Sequence, residues 1–444
     1  MSEALLSLFP DEHRTIAGLQ RALRQGETSC ESILEECLTQ IDAWETKIQA
    51  WVRLDRDDAL KQARELDSQL QAGHWFGPLH GIPIGIKDLF DWEGWPTAAG
   101  FPAYENRIAP RDSVVVGTLR QSGCVLMGKT VTTQFASFDP PITRNPWKEG
   151  RTPGGSSSGS AAAVATGMCI AAIGSQTGGS ITRPASFCGV SGCKPTFHSI
   201  SLEGCFPFTH SLDHPGPMAR CVRDLAIITS HLCDHLLTTA EQWLEFDPQV
   251  PPRLRLLHGL FEEYADPECW SLVQQATQCW QSDQAKFDEA PFPAEFDPIL
   301  VHHRRLMATE AADVHRQVWL ESREQLLPKI ASLLAEGHQS SAVEYLASRR
   351  HQTELKKQFS EWFGDAEILV CPATVGGAPD RDSTGDPCMN SPWSYLGLPT
   401  VNFPLGLDRD GLPLGVQLIA RHGEEDALFR AALWCEKQWH NEVG

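Results

Sequence analysis

"RTPGGSSSGSAAAVATGMCIAAIGSQTGGSITRPASF", residues 151–187, holds no charged side chain at the 31 positions between Arg151 and Arg183. A flexible Gly/Ser linker would lead into a new domain start, but Gly154–Ser160 runs straight into the apolar stretch Ala161–Gly174, which reads as buried. A membrane span needs about 20 apolar residues. This stretch is shorter, rich in alanine and glycine and flanked by hydroxyls, so it reads as a core helix whose small side chains permit close backbone packing. A phosphate loop of the form G-x-x-x-x-G-K-[ST] would carry a lysine after Gly159, and none follows. Phosphate binding is left as a weak alternative to an active site built on hydroxyls and backbone N–H groups. Absence of charge suits the latter, because a buried turn cannot carry unpaired charges.

Two nucleophile motifs compete nearby. Gly155–Gly159 matches G-x-S-x-G with Ser157 at its centre, and Ser191–Lys194 matches S-x-x-K. The first is five positions long in a Gly/Ser-rich run, where it arises easily. The second precedes Pro195, which disfavours helical geometry at Lys194, and has no S-D-N or K-T-G companion. Both read as chance matches.

Away from this stretch the texture divides into four segments. Residues 1–75 read as helical: "TSCESILEECLTQIDAWE" has a capping-box pattern at Thr28 and Glu31, then Ile33, Leu34, Cys37, Leu38 and Ile41 on one face. "DDALKQARELDSQLQAG" predicts a second helix stopped by Gly73. Residues 76–225 alternate short apolar runs with Gly/Pro turns, which predicts a mixed α/β core. Residues 226–365 return to charge-mixed helical sequence, an insertion. Residues 366–444 go back to the pattern of 76–225 with "EILVCPAT" and a hairpin turning at Asp410-Gly411. The expectation is one large α/β domain, a mixed sheet covered by helices, completed by the C-terminal segment.

A net charge of −20, from 57 acidic and 37 basic side chains, repels phosphate backbones and anionic lipid, so neither direct nucleic-acid binding nor membrane association is expected. "MSEALLSLFPDEHRT" lacks the basic and apolar regions of a secretory leader, which predicts a cytoplasmic chain. Fourteen cysteines are dispersed without any C-x-x-C pair and read as free, mostly buried thiols. His210 and His214 bracket Asp213, and His302 and His303 are adjacent, but neither group has the companions of a metal site. No metal and no cofactor are expected.

The opening stretch resembles the signature of the amidase signature family: "GGSS", a serine 24 residues later in a "GGS" turn, then an arginine and a proline, with Ser156 and Ser180 at that separation. Similar motifs follow in order over nearly the whole chain outside the insertion, among them "GPLHGIPIGIKD", "GCVLMGKT", "FCGVSGCKPT", "SLDHPGPMARCVRDLA" and "YLGLPTVNFPLGLDRDGLPLGVQLIA". The resemblance implies the amidase signature fold and an amide hydrolase. It assigns the nucleophile to Ser180, a bridging hydroxyl to Ser156, reached through a cis peptide bond, and the base to Lys87. A lysine, with an ordinary pKa near about 10.4, serves as a base at neutral pH only if burial disfavours its charged form, and "GIPIGIKDLF" gives Lys87 an apolar surround. The competing role for Lys87 is an ion pair with Asp88. Thr177, Gly178 and Gly179, leading into Ser180, offer consecutive N–H groups to an oxyanion, since two glycines let the chain turn freely.

Three residues depart from the commoner family form: Gln134 and Gln176 stand where glutamate and aspartate are usual, and Arg183 is shifted one place on. "QTGGS" with a later "RP" resembles a recognisable subgroup of the family, and "TGDPCMNSPWSYLGLP" resembles its free-standing bacterial amidases more than the subunit form. The expected substrate is a small-molecule amide, and a homodimer is allowed. The alternatives are the glutaminase (A) subunit of a tRNA-dependent amidotransferase, which has the same core, and a catalytically silent binding protein. Phe135, Phe138, Phe206 and Trp393 lie near the motifs as candidates for an apolar pocket or for core.

Overall fold

Short apolar runs between Gly/Pro turns become strands of one mixed sheet. The computed structural model describes residues 7, 8, 11–293, 296 and 298–443; most of the N-terminal stretch read for a leader lies outside them. Among the described residues the strands are β1 (Trp51–Leu54), β2 (Pro83–Lys87), β3 (Val125–Thr130), β4 (Ala171–Gln176), β5 (Ser191–Lys194), β6 (His214–Ala219), β7 (Arg253–His258), β8 (Lys286–Pro291), β9 (Ile368–Pro372), β10 (Thr400–Leu407) and β11 (Pro413–Ile419). They form a single sheet in the order β1-β3-β2-β4-β6-β5-β10-β11-β9-β7-β8. β2 runs parallel to both β3 and β4, while β6, β5, β10 and β11 pair antiparallel. Every residue of β2, β3 and β4 is buried. Parallel strands covered on both faces need such unbroken apolar runs. The chain is a single α/β domain, as the sequence predicts.

The helix Cys30–Ile48 buries Ile33, Leu34, Cys37, Leu38 and Ile41, the face read from the periodicity. Its cap is Ser29, whose side chain accepts from the Ser32 N–H, rather than Thr28. The next helix, Arg56–Gln71, ends two residues before Gly73. The C-terminal hairpin forms around Gly411, whose φ is +76°. It lies in the interior of the sheet, with β10 against β5 and β11 against β9.

Two expectations need correction. Ala161–Gly174 is not one core helix: a fully buried helix, Ser158–Ala165, ends at a turn where Gly167 takes φ +70°, and the chain re-enters the sheet as β4. Nor is the segment 226–365 purely helical. "RLRLLH" and "KFDEAP" form β7 and β8, a parallel pair that extends one edge of the sheet beyond β9. All fourteen cysteines are free thiols, buried except for the half-buried Cys205 and Cys279. Among the described residues no helix is long and apolar enough to cross a membrane.

Candidate active site

Lys87 is the last residue of β2, and the Thr177–Ser180 turn leaves the end of β4. Loops at the carboxyl ends of parallel strands are where α/β sheets place their ligands. Ser156 approaches from the loop before the helix Ser158–Ala165 and follows a cis peptide bond from Gly155. The sequence places these residues far apart; the parallel arrangement of β2 and β4 brings them to one end of the sheet.

Lys87 is fully buried. Its Nζ lies 2.8 Å from Ser156 Oγ, 2.9 Å from Ser175 Oγ and 3.5 Å from the Ser175 carbonyl. The ion pair with Asp88 does not form. Asp88 faces Lys129 instead at 3.4 Å, and Lys129 also donates to the Phe90 carbonyl and the Thr97 hydroxyl. Burial lowers the Lys87 pKa to about 7, with the nearby Asp213 carboxylate opposing it. A neutral amine has two N–H donors and one lone pair. The Ser175 oxygens can take the donors, and the lone pair can accept the Ser156 O–H. The arrangement therefore suits a base acting through a hydroxyl.

Ser180 is almost buried, and its carbonyl accepts from the Ser157 N–H at 3.3 Å. Among the described residues nothing accepts a hydrogen bond from the backbone N–H groups of Gly178, Gly179 or Ser180. Thr177 anchors the start of the turn by donating its hydroxyl to Asp213 at 2.6 Å. Asp213 also accepts from the N–H groups of Phe208 and Thr209 and from the Thr209 hydroxyl.

Two of the departures from the commoner family form, Gln176 and Gln134, are accounted for by what an amide can do and a carboxylate cannot. Gln176 accepts the N–H groups of Ile181 and Thr182 through Oε1 and donates Nε2 to Ser394 Oγ at 3.2 Å. Gln134 accepts from the Leu327 N–H and donates to the Gln325 carbonyl, tying the loop after β3 to the segment 226–365. Arg183 is buried without a carboxylate in contact. It donates to the carbonyls of Gly155, Gly179 and Gly385, and burial lowers its pKa to about 10.

The competing motifs have other roles. Ser157 Oγ donates to the Ser175 carbonyl at 3.1 Å and accepts the Ser175 N–H at 3.2 Å, a buried bridge between loop and strand. Ser191 and Lys194 both lie in β5, where positions three apart face opposite sides of the sheet. Phe135 and Phe206 stack at 5.6 Å between ring centres, joined by Phe101, Tyr104 and His315. Phe138 is half-buried against the core, whereas Trp393 packs elsewhere, on Phe261, Phe292 and Phe359.

Sequence reasoning passed over three residues here. Ser175 shares the Lys87 amine, and Ser394 and His303 both reach the turn: Ser394 Oγ donates to the Gly178 carbonyl at 2.8 Å, and His303 Nε2 to the Thr177 carbonyl at 3.0 Å. Ser175 could have been found from its place in β4 just before the turn, but nothing local marks Ser394 or His303. His214 bonds the Leu212 carbonyl and His302 the Ser348 hydroxyl, both structural contacts. Among the described residues no three His, Cys, Asp or Glu side chains converge to hold a metal ion.

Comparison with known proteins places the chain among relatives of known family and fold. The A subunit of the glutamyl-tRNA(Gln) amidotransferase of Gloeothece citriformis (strain PCC 7424) is 32% identical over 96% of this chain and 98% of its own length. A chain from a complex described as vestigial, and as revealing the evolutionary origins of an s-triazine catabolic enzyme, superposes with a TM-score of 0.86 at 28% identity, covering 97% of this chain and 98% of that one. The native peptide amidase from Stenotrophomonas maltophilia does so with a TM-score of 0.82 at 27% identity, covering 96% and 97%. The profile of the family described as Amidase spans residues 32–429, every strand of the sheet and the turn, and the chain belongs to that family of amide-cleaving enzymes.

Proposed function

We propose that the chain hydrolyses a carboxylic amide through an acyl-enzyme on Ser180. Neutral Lys87 takes the proton of Ser156 while Ser156 takes that of Ser180, and the Ser180 oxygen bonds to the amide carbon. The carbonyl oxygen, now negative, is received by N–H groups of the Thr177–Ser180 turn. The C–N bond then breaks as the proton returns through Ser156 to the leaving nitrogen, releasing ammonia or an amine. Water adds to the resulting ester along the same proton route, freeing the acid and restoring Ser180. The observation that carries this reading is the 2.8 Å contact between Lys87 Nζ and Ser156 Oγ in a buried setting where Asp88 is engaged elsewhere. The buried Lys87–Ser156 contact supports a catalytic reading over a silent binding protein.

The chemistry is shared with a subunit that hands ammonia to a tRNA-binding partner, and the curated relatives favour that second reading. We favour the free-standing hydrolase of a small-molecule amide. The net charge of −20 supports the absence of direct nucleic-acid contact. Fourteen free thiols support a reducing, cytoplasmic setting. A homodimer is compatible with the mechanism. The test is ammonia release by the purified chain from a panel of aliphatic and aromatic amides and glutamine. The hydrolase reading expects release without a partner and no gain with aminoacyl-tRNA. A stoichiometric tRNA-binding partner from its own host, with glutamine-dependent amidation of charged tRNA, would overturn it.

A further inference from the structure

We infer that His303 is a positioning residue for the reaction proposed above, on which this inference rests: with Ser394 and Arg183, it aims the N–H groups of the catalytic turn by holding their carbonyls from behind. Three successive carbonyls of the turn are each held by a different group. Thr177 O accepts from His303 Nε2 at 3.0 Å, Gly178 O from Ser394 Oγ at 2.8 Å, and Gly179 O from the Arg183 backbone N–H at 2.9 Å and its Nε at 3.4 Å. In a trans peptide the C=O and the following N–H point in opposite directions within one plane. Fixing the carbonyls of Thr177, Gly178 and Gly179 therefore fixes where the N–H groups of Gly178, Gly179 and Ser180 point. Those three N–H groups are the ones with no acceptor among the described residues. Two of the three residues are glycines, whose backbone would otherwise rotate most freely.

His303, like Ser394, is a member of this set that no local sequence pattern predicts. It comes from the helix Ile299–Val314 in the segment 226–365, it is buried, and its imidazole packs on the turn, since a Cβ on Gly178 would lie 3.5 Å from His303 Cε1. A carbonyl only accepts, so Nε2 carries the proton. Burial lowers the His303 pKa to about 4, which keeps the ring neutral at working pH. The same helix holds the loop of Ser211 through Glu310, which accepts the N–H groups of His210 and Ser211 and the Ser211 hydroxyl. The segment thereby acts on the site at the peptide plane of the turn.

A fluorophosphonate reagent tests this without knowledge of the natural amide. Its phosphorus bonds to the Ser180 oxygen, whose proton passes through Ser156 to Lys87, fluoride leaves, and the phosphoryl oxygen takes the place of the oxyanion. His303→Leu removes the donor at similar volume. It should lower the limiting rate of labelling by about tenfold or more, short of the roughly 10²–10³ lost when an oxyanion donor is deleted outright. The reagent concentration giving half-maximal rate should stay unchanged, and His303→Gln, which restores an N–H, should recover most of the rate. Ser394→Ala removes the second prop at smaller packing cost and should show the same split; it decides the matter if His303→Leu does not fold. Unchanged limiting rates in both variants with wild-type melting, or a glutamine variant no better than leucine, would overturn the inference. A wild type not labelled at Ser180 would overturn the reading of the site itself, and is told apart because no variant is then needed.

Discussion

Lys87 carries the electrostatic logic of the site. In a pocket of hydroxyls and a carbonyl its ammonium form is penalised by burial, and its pKa falls to about 7. In the proposed mechanism the neutral amine is the working form, so kcat/KM should fall about tenfold per pH unit below about 7 and level off above it, a profile that a pH series on one amide measures. A rate that rises as pH falls would require a different base. The Asp88–Lys129 pair explains why Lys87 is free to act this way. With Asp88 engaged by Lys129, the neighbouring carboxylate is not left to stabilise a charged Lys87.

At the scale of elements, the helix Ser158–Ala165 sets how closely Ser156 approaches the sheet. A Cβ on Gly159 would fall 2.3 Å from the Ala50 carbonyl oxygen and 2.4 Å from the Val131 nitrogen, so the helix touches backbone directly. Gly159→Ala should therefore destabilise the fold by about 1–3 kcal/mol through forced backbone shifts and depress activity by moving Ser156. A melting curve unchanged from wild type would show that the packing is looser than described. Much at this scale was readable in the sequence. The Cys30–Ile48 helix announced itself by periodicity, and the Asp410-Gly411 turn by its chemistry. What could not be read has a physical cause in each case. Ala161–Gly174 is apolar on all sides in both helix and strand, so no period marks the break at Gly167. β8 is an exposed edge strand whose charged residues mimic a solvated helix. Lys87, Ser156 and the Ser180 turn could be named from their motifs, but His303 and Ser394 could not, because their contacts depend on where distant segments come to lie.

Across the whole molecule, the sheet joins segments that sequence texture separates. The C-terminal hairpin lies between β5 and β9, so the strands of 226–365 reach the catalytic half of the sheet only through it. The segment 226–365 also touches the site directly, through His303 on the turn and through Gln325 and Leu327 on Gln134. The hydrolase and amidotransferase readings share one mechanism because both require the same acyl transfer at the turn. That mechanism stands or falls on which atom is acylated. Acid quenching of the purified chain during turnover of an amide, followed by peptide mass spectrometry, locates the acyl group. The account predicts an adduct on Ser180, absent in Ser180→Ala together with at least about 10⁴-fold of the activity, and retained in Ser157→Ala. An adduct on Ser157, or turnover persisting in Ser180→Ala, would contradict it.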